Sequence, residues 1–186
     1  MILPHVARFL LRLGGWTAVG GLPKVRKAVY IGAPHTSNWD GLWALVYITA
    51  IGLKVKFFVK DSMFWFPLGN LLRAFGAIPL DRSKPGSSVS QAIAGFNENE
   101  EFYFGLAPEG TRSKTPGWKS GFYRIAEGAG VPVILGFFDY RHKRLGVGPM
   151  ITLTGDREAD LDIIRAFYSA ASGRWPEKTC PIVFTR

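Results

Sequence analysis

Along the chain, apolar and β-branched runs alternate with segments whose apolar residues recur at helical spacing. Strand-like runs fall at 28–33, 54–59, 76–80, 102–106, 131–138 and 150–153. Helical patterns separate them at 38–51, 62–75, 87–97, 121–129 and 158–171. Strands joined by helix-length connections pair in parallel, so this order predicts an α/β domain with a largely parallel mixed sheet flanked by helices. The sequence contains no internal repeat, and its one linker-like stretch, 83–88, is too short to separate domains. Residues 1–186 therefore read as a single domain.

Ahead of the first strand, Ile2, Leu3, Val6, Phe9, Leu10, Leu13 and Trp16 share one arc of a helix turning about 100° per residue, with His5, Arg8 and Arg12 on a neighbouring arc. Residues 1–16 thus form a short amphipathic N-terminal helix with two uses: its apolar face enters a bilayer interface while the arginines meet lipid phosphates, or the face covers the domain's own core. The polar residues break the run and no clear cleavage pattern follows, so the segment reads as part of the mature protein and not as a signal peptide. Elsewhere the longest apolar run, 41–53, has 13 residues, fewer than the about 18 that cross a bilayer as a helix.

Composition narrows the class. With 47% hydrophobic and 20% charged residues the chain can build a core, which excludes a disordered protein. One cysteine, Cys180, excludes an internal disulfide and a multi-cysteine metal site, and the three histidines and scattered carboxylates have no zinc-like spacing, so neither metal nor cofactor is expected. The 23 basic and 14 acidic residues leave a formal charge of +9, which favours an anionic partner: nucleic acid, an anionic membrane surface or a phosphorylated substrate.

Three polar clusters follow strand-like runs: residues 34–40 (PHTSNWD), Asp81-Arg82, and residues 108–113 (PEGTRS). Loops beyond the carboxyl ends of parallel strands converge on one crevice, so distant clusters can share a site. His35 and Asp40 would stand about 140° apart on a continuous helix, which puts His35 before the helix and Asp40 in its first turn, with Thr36, Ser37 or Asn38 as cap. A carboxylate there can accept the Nδ1 proton of His35 and leave Nε2 to take a proton from a substrate; a helix cap beside a structural histidine is the alternative. In the third cluster Gly110 permits close approach, and Thr111 and Arg112 suit phosphate oxygens beside Glu109. Arg82 adds a second cation, whereas Lys119 reads better as part of a surface ion-pair network.

Together these residues carry a resemblance. His35-x4-Asp40 in HTSNWD, residues 76–82 (GAIPLDR), residues 108–113 (PEGTRS) and residues 131–134 (VPVI) look like the four ordered blocks of the glycerolipid acyltransferase family, which includes bacterial 1-acylglycerol-3-phosphate acyltransferases. The resemblance implies transfer of a fatty acyl group from acyl-CoA or an acyl-carrier protein to the hydroxyl of a lysophospholipid, most readily 1-acylglycerol 3-phosphate, in phospholipid biosynthesis. It also implies His35 as base, Asp40 as its partner, and Arg82, Glu109, Gly110, Thr111 and Arg112 around the acceptor's polar head. The expected setting is peripheral, at the cytoplasmic face of an anionic membrane.

Two other readings compete. A lipid thioesterase or hydrolase would use the same His-Asp pair on water, and a nonenzymatic basic module would bind lipid or nucleic acid. Neither a zinc finger, a Walker loop nor an RNA-binding aromatic signature occurs, so no nucleic-acid partner is expected. Without a Gly-x-Ser-x-Gly elbow, Ser37 suits a helix cap better than a covalent nucleophile. Trp39, Trp43, Trp65 and Trp118 read singly as core residues, and with Phe57, Phe58, Phe64 and Phe66 as walls of an acyl groove.

Overall fold

The computed structural model describes residues 2–80 and 86–185. Its centre is β2 (Lys27–Ala33), whose side chains alternate between two cores. Val29, Ile31 and Ala33 face one layer of helices, and Ala28 and Tyr30 the other. That two-sided burial explains why β2 reads as an unbroken apolar run. Among the described residues seven strands stand in the order β1-β7-β6-β2-β5-β3-β4. These are β1 (Thr17–Val19), β3 (Val55–Lys60), β4 (Ala77–Leu80), β5 (Phe102–Leu106), β6 (Val133–Asp139) and β7 (Arg144–Ile151) around β2. All neighbours pair in parallel except β6 and β7, which form an antiparallel hairpin.

On one side of the sheet lie α4 (Ser87–Glu98), α5 (Gly121–Ala129) and α6 (Arg157–Tyr168), packed through Phe96, Phe122, Ile125, Leu161 and Ile164. On the other, α2 (Asn38–Ile51) covers Phe138 and Leu145 and is itself covered by α1 (Leu3–Leu13) through Ala7 and Leu11. The expected class, an α/β domain with a largely parallel mixed sheet behind an N-terminal helix, is the one observed.

Several boundaries differ from expectation. The helix expected over 62–75 is a 3₁₀ turn (Asp61–Met63) followed by α3 (Leu68–Ala74), because Pro67 has no N–H to continue a helix through that point and instead caps the second piece. The last expected strand, 150–153, is the end of the longer β7, whose Gly146, Gly148 and Pro149 weaken its strand signal. Glycine is required at Gly146, where φ is +152° and a Cβ would overlap the Val19 carbonyl oxygen, and a Cβ on Gly148 would crowd the Phe167 ring. β1, three residues long at the sheet edge, leaves no periodic signal at all. α6 stops at Tyr168, short of the expected 171, where the phenol donates to the Gly136 carbonyl at 2.7 Å. The aromatic series divides: Trp118 is buried, Trp43 packs on Trp16, and Trp39, Trp65 and Phe66 are exposed.

Candidate active site

Three adjacent strands at the centre of the sheet, β6, β2 and β5, end on the same side of it. Ala33 of β2 stands level with Phe137 of β6, and Ile31 with Leu106 of β5. Their following loops therefore bring together the segment 34–40, Tyr140, and the segment 108–113. Ser37 caps α2, accepting from the Trp39 N–H, and Asp40 completes a reciprocal capping box. This local motif turns the chain so that His35 stands outside the helix, as its spacing from Asp40 requires.

His35 Nδ1 is 3.2 Å from Asp40 Oδ2. The same oxygen accepts the Thr36 and Ser37 N–H groups, each at 2.8 Å, and the Tyr140 hydroxyl donates to Oδ1 at 2.6 Å. Asp40 is wholly buried while the His35 side chain is 20% exposed, so the histidine is the member that solvent or substrate can reach. Burial alone would raise the Asp40 pKa, but donors from His35, Tyr140 and the Ser37 N–H together hold it below the usual carboxylate range. Burial and then the Asp40 charge push the Tyr140 phenol upward, which keeps it a donor at neutral pH. Among the described residues Nε2 of His35 has no hydrogen-bond partner.

Glu109 sits behind this pair. It is buried, and its Oε1 accepts the His35 N–H at 2.9 Å while Oε2 has no hydrogen-bond partner among the described residues. Burial raises its pKa above the ordinary glutamate value. Its observed contact is therefore with the backbone of the histidine loop. Gly110 adopts φ +67°, and its missing Cβ leaves room for the Lys119 side chain, which a Cβ would meet at 3.0 Å. Thr111 accepts the Ser113 N–H through its hydroxyl in a short turn. Arg112 is exposed and forms no salt bridge among the described residues. Arg82 lies outside the described residues.

Beside His35 opens a cleft of about 380 Å³. Residues 36–39 at the start of α2 form one wall, Arg112 and Ser113 another, and Arg174, Trp175 and Lys178 the third. Of the expected 109–112 cluster, only Arg112 lines it. Tyr140, Arg174, Trp175 and Lys178 were not legible in the sequence as site residues; for the last three the only signal was an aromatic among cations in the segment 174–178. A second pair, His142 Nδ1 to Asp139 Oδ2 at 2.6 Å, occupies the β6–β7 turn with the histidine 61% exposed.

The sequence model of the family described as Acyltransferase matches residues 19–134. The chain belongs to the acyltransferase family. That span contains His35, Asp40 and residues 109–112, and ends before Tyr140 and the segment 174–178. No curated protein matches this acyltransferase. A similar fold occurs in the crystal structure of the 1-acyl-sn-glycerophosphate (LPA) acyltransferase PlsC from Thermotoga maritima, with a TM-score of 0.64 over 88% of this chain and 74% of that one. At 18% identity this likeness concerns the fold.

Proposed function

We propose that this acyltransferase moves a fatty acyl group from acyl-CoA or acyl-carrier protein to the free hydroxyl of a lysophospholipid, with 1-acylglycerol 3-phosphate as the preferred acceptor, in phospholipid biosynthesis. The observation that carries the reading is His35 bonded to a wholly buried, ionised Asp40 at the edge of a cationic cleft. His35 Nε2 removes the acceptor's hydroxyl proton as that oxygen attacks the thioester carbonyl. The C–O bond forms, the C–S bond breaks, and the imidazolium returns the proton to the departing thiolate. Asp40 fixes the tautomer, and Glu109 holds the loop from behind through the His35 N–H. Arg112, with Arg82 as second cation and Gly110 and Thr111 shaping the turn, serves the acceptor's polar head. Arg112→Lys keeps charge but loses the planar pair of donors, so acceptor efficiency should fall by more than for Lys119→Ala.

The same reading covers location. No helix among the described residues is long and apolar enough to cross a membrane. On α1, Ala7 and Leu11 are buried against α2, whereas Leu3, Phe9 and Leu13, with Ile2 just before the helix, are more than half exposed. An exposed apolar face on a helix that also carries arginines suits peripheral attachment to the anionic cytoplasmic face of a membrane. The decisive assay offers a labelled acyl thioester with lysophosphatidate and phosphate-free lysolipids, followed by mass analysis. Acylated lysophosphatidate is the expected product. Free fatty acid released at the same rate without any acceptor would make the protein a thioesterase.

A further inference from the structure

The cleft's third wall comes from residues beyond the family match. Resting on the cleft being the substrate site, we infer that the segment 173–178 is a phosphate-binding wall, on which Arg174 and Lys178 hold a phosphate group of a substrate together with Arg112. Among the described residues the cleft is lined by these three cations and by no acidic side chain. The Arg174 guanidinium lies over two rings, 5.5 Å from the Trp39 centroid and 5.7 Å from that of Trp175, and Lys178 Nζ is 5.7 Å from Trp175. Stacking holds a guanidinium in place without using its N–H groups. Arg174 and Lys178 make no salt bridge among the described residues, so both remain available to an anion.

The wall is fastened to the histidine loop. Trp175 N–H donates to Thr36 Oγ1 at 3.2 Å, and the Tyr140 N–H donates to the Ser172 carbonyl at 2.8 Å. Gly173 packs so closely on Thr36 that a Cβ would lie 2.8 Å from its side chain. Thr36 in turn donates its N–H to Asp40, and the Tyr140 hydroxyl donates to the same carboxylate. The backbone on either side of Arg174 is thereby tied to the loop that carries His35. Three like charges lining one cleft repel each other until an anion enters, and a phosphate relieves that repulsion while accepting hydrogen bonds from them.

Two substrates can supply the phosphate: the head group of the acceptor, or the phosphates of the thioester donor. The test is calorimetric and kinetic. Glycerol 3-phosphate titrated into the full chain should bind where glycerol does not, with affinity about tenfold weaker in Arg174→Gln and severalfold weaker in Lys178→Gln. Arg174→Lys should recover only a fraction of the loss, since it restores charge without the stacked plane. Circular dichroism checks that each variant folds. Unchanged binding in both Gln variants, or no binding by the natural chain, overturns the wall. In steady-state assays, a KM increase confined to lysophosphatidate assigns the phosphate to the lipid head, and one confined to the thioester assigns it to the donor; unchanged KM for both also overturns it. Because calorimetry needs no turnover, a chain that binds glycerol 3-phosphate through Arg174 yet transfers no acyl group would reject the acyl-transfer reading alone.

Discussion

Asp40 collects four donors on two oxygens: the Thr36 and Ser37 N–H groups, His35 Nδ1 and the Tyr140 hydroxyl. In Asp40→Asn the side-chain oxygen can keep the backbone donors while the amide faces Tyr140, so the fold should survive and turnover should not, as the negative charge opposite the imidazole is gone. His35→Ala should lower turnover by about 10²–10⁴ with an unchanged circular dichroism spectrum; near-normal acyl transfer by the folded variant would remove His35 as the base. Tyr140→Phe takes away the donor to Oδ1 and should cost about 2 kcal/mol of stability at neutral pH. The Asp40 pKa lies lower folded than unfolded, so its contribution is present above the unfolded value near 3.8 and lost as pH falls through the folded one. The stability gap between the natural chain and Tyr140→Phe should therefore narrow on acidification below about pH 4 in urea titrations at stepped pH. A constant gap would mean that the phenol acts only by packing.

α1 presents two faces with opposite demands. Leu11 is 2% exposed within the α1–α2 contact, so Leu11→Ala should destabilise the protein by about 2–4 kcal/mol. Phe9 and Leu13 point away from that contact at 62% and 73% exposure, and the double change Phe9→Ser with Leu13→Ser should alter stability by less than about 1 kcal/mol. The same change should sharply reduce sedimentation with anionic vesicles. Arg8 and Arg12 add an electrostatic attraction that weakens with salt, although the Arg8 side chain also donates to the Ala50 carbonyl at 3.0 Å. If the exposed-face variant loses stability and binds vesicles unchanged, the helix is a core cover instead.

At the scale of the molecule, the cleft depends on how the end of the described chain returns to the body. Trp118 N–H donates to the Val183 carbonyl at 2.7 Å, Thr185 N–H to the Trp118 carbonyl at 2.9 Å, and the buried Cys180 receives Thr115. Gly117 admits this return, since a Cβ there would lie 2.3 Å from the Val183 oxygen. Gly117→Ala should lower stability by about 1–3 kcal/mol and speed tryptic cleavage at Arg174 and Lys178, as read by mass spectrometry of timed digests. Cleavage as slow as in the natural chain would show that the segment is held from its other end, by Gly173 and Trp175 on Thr36.

The layered architecture was legible because it rests on short-range chemistry. The apolar runs of β2, β5 and β6, the helical spacing of α2 and α5 and the Ser37–Asp40 cap are each decided within a few residues, as was the need for His35 to stand before its helix. Pro67 in the expected helix 62–75 carried its own warning, and Gly146 and Gly148 hid β7 because their reason for being glycine lies on other elements, Val19 and Phe167. The partners around the site were settled by tertiary structure alone. Tyr140 meets Asp40 across 100 positions, Glu109 meets the His35 backbone across 74, and Trp175 meets Thr36 across 139. Periodicity and capping report on neighbours along the chain, whereas these contacts depend on which strands lie side by side and where their loops emerge. Composition could announce an excess of positive charge; only the fold brings Arg112, Arg174 and Lys178 to the same cleft.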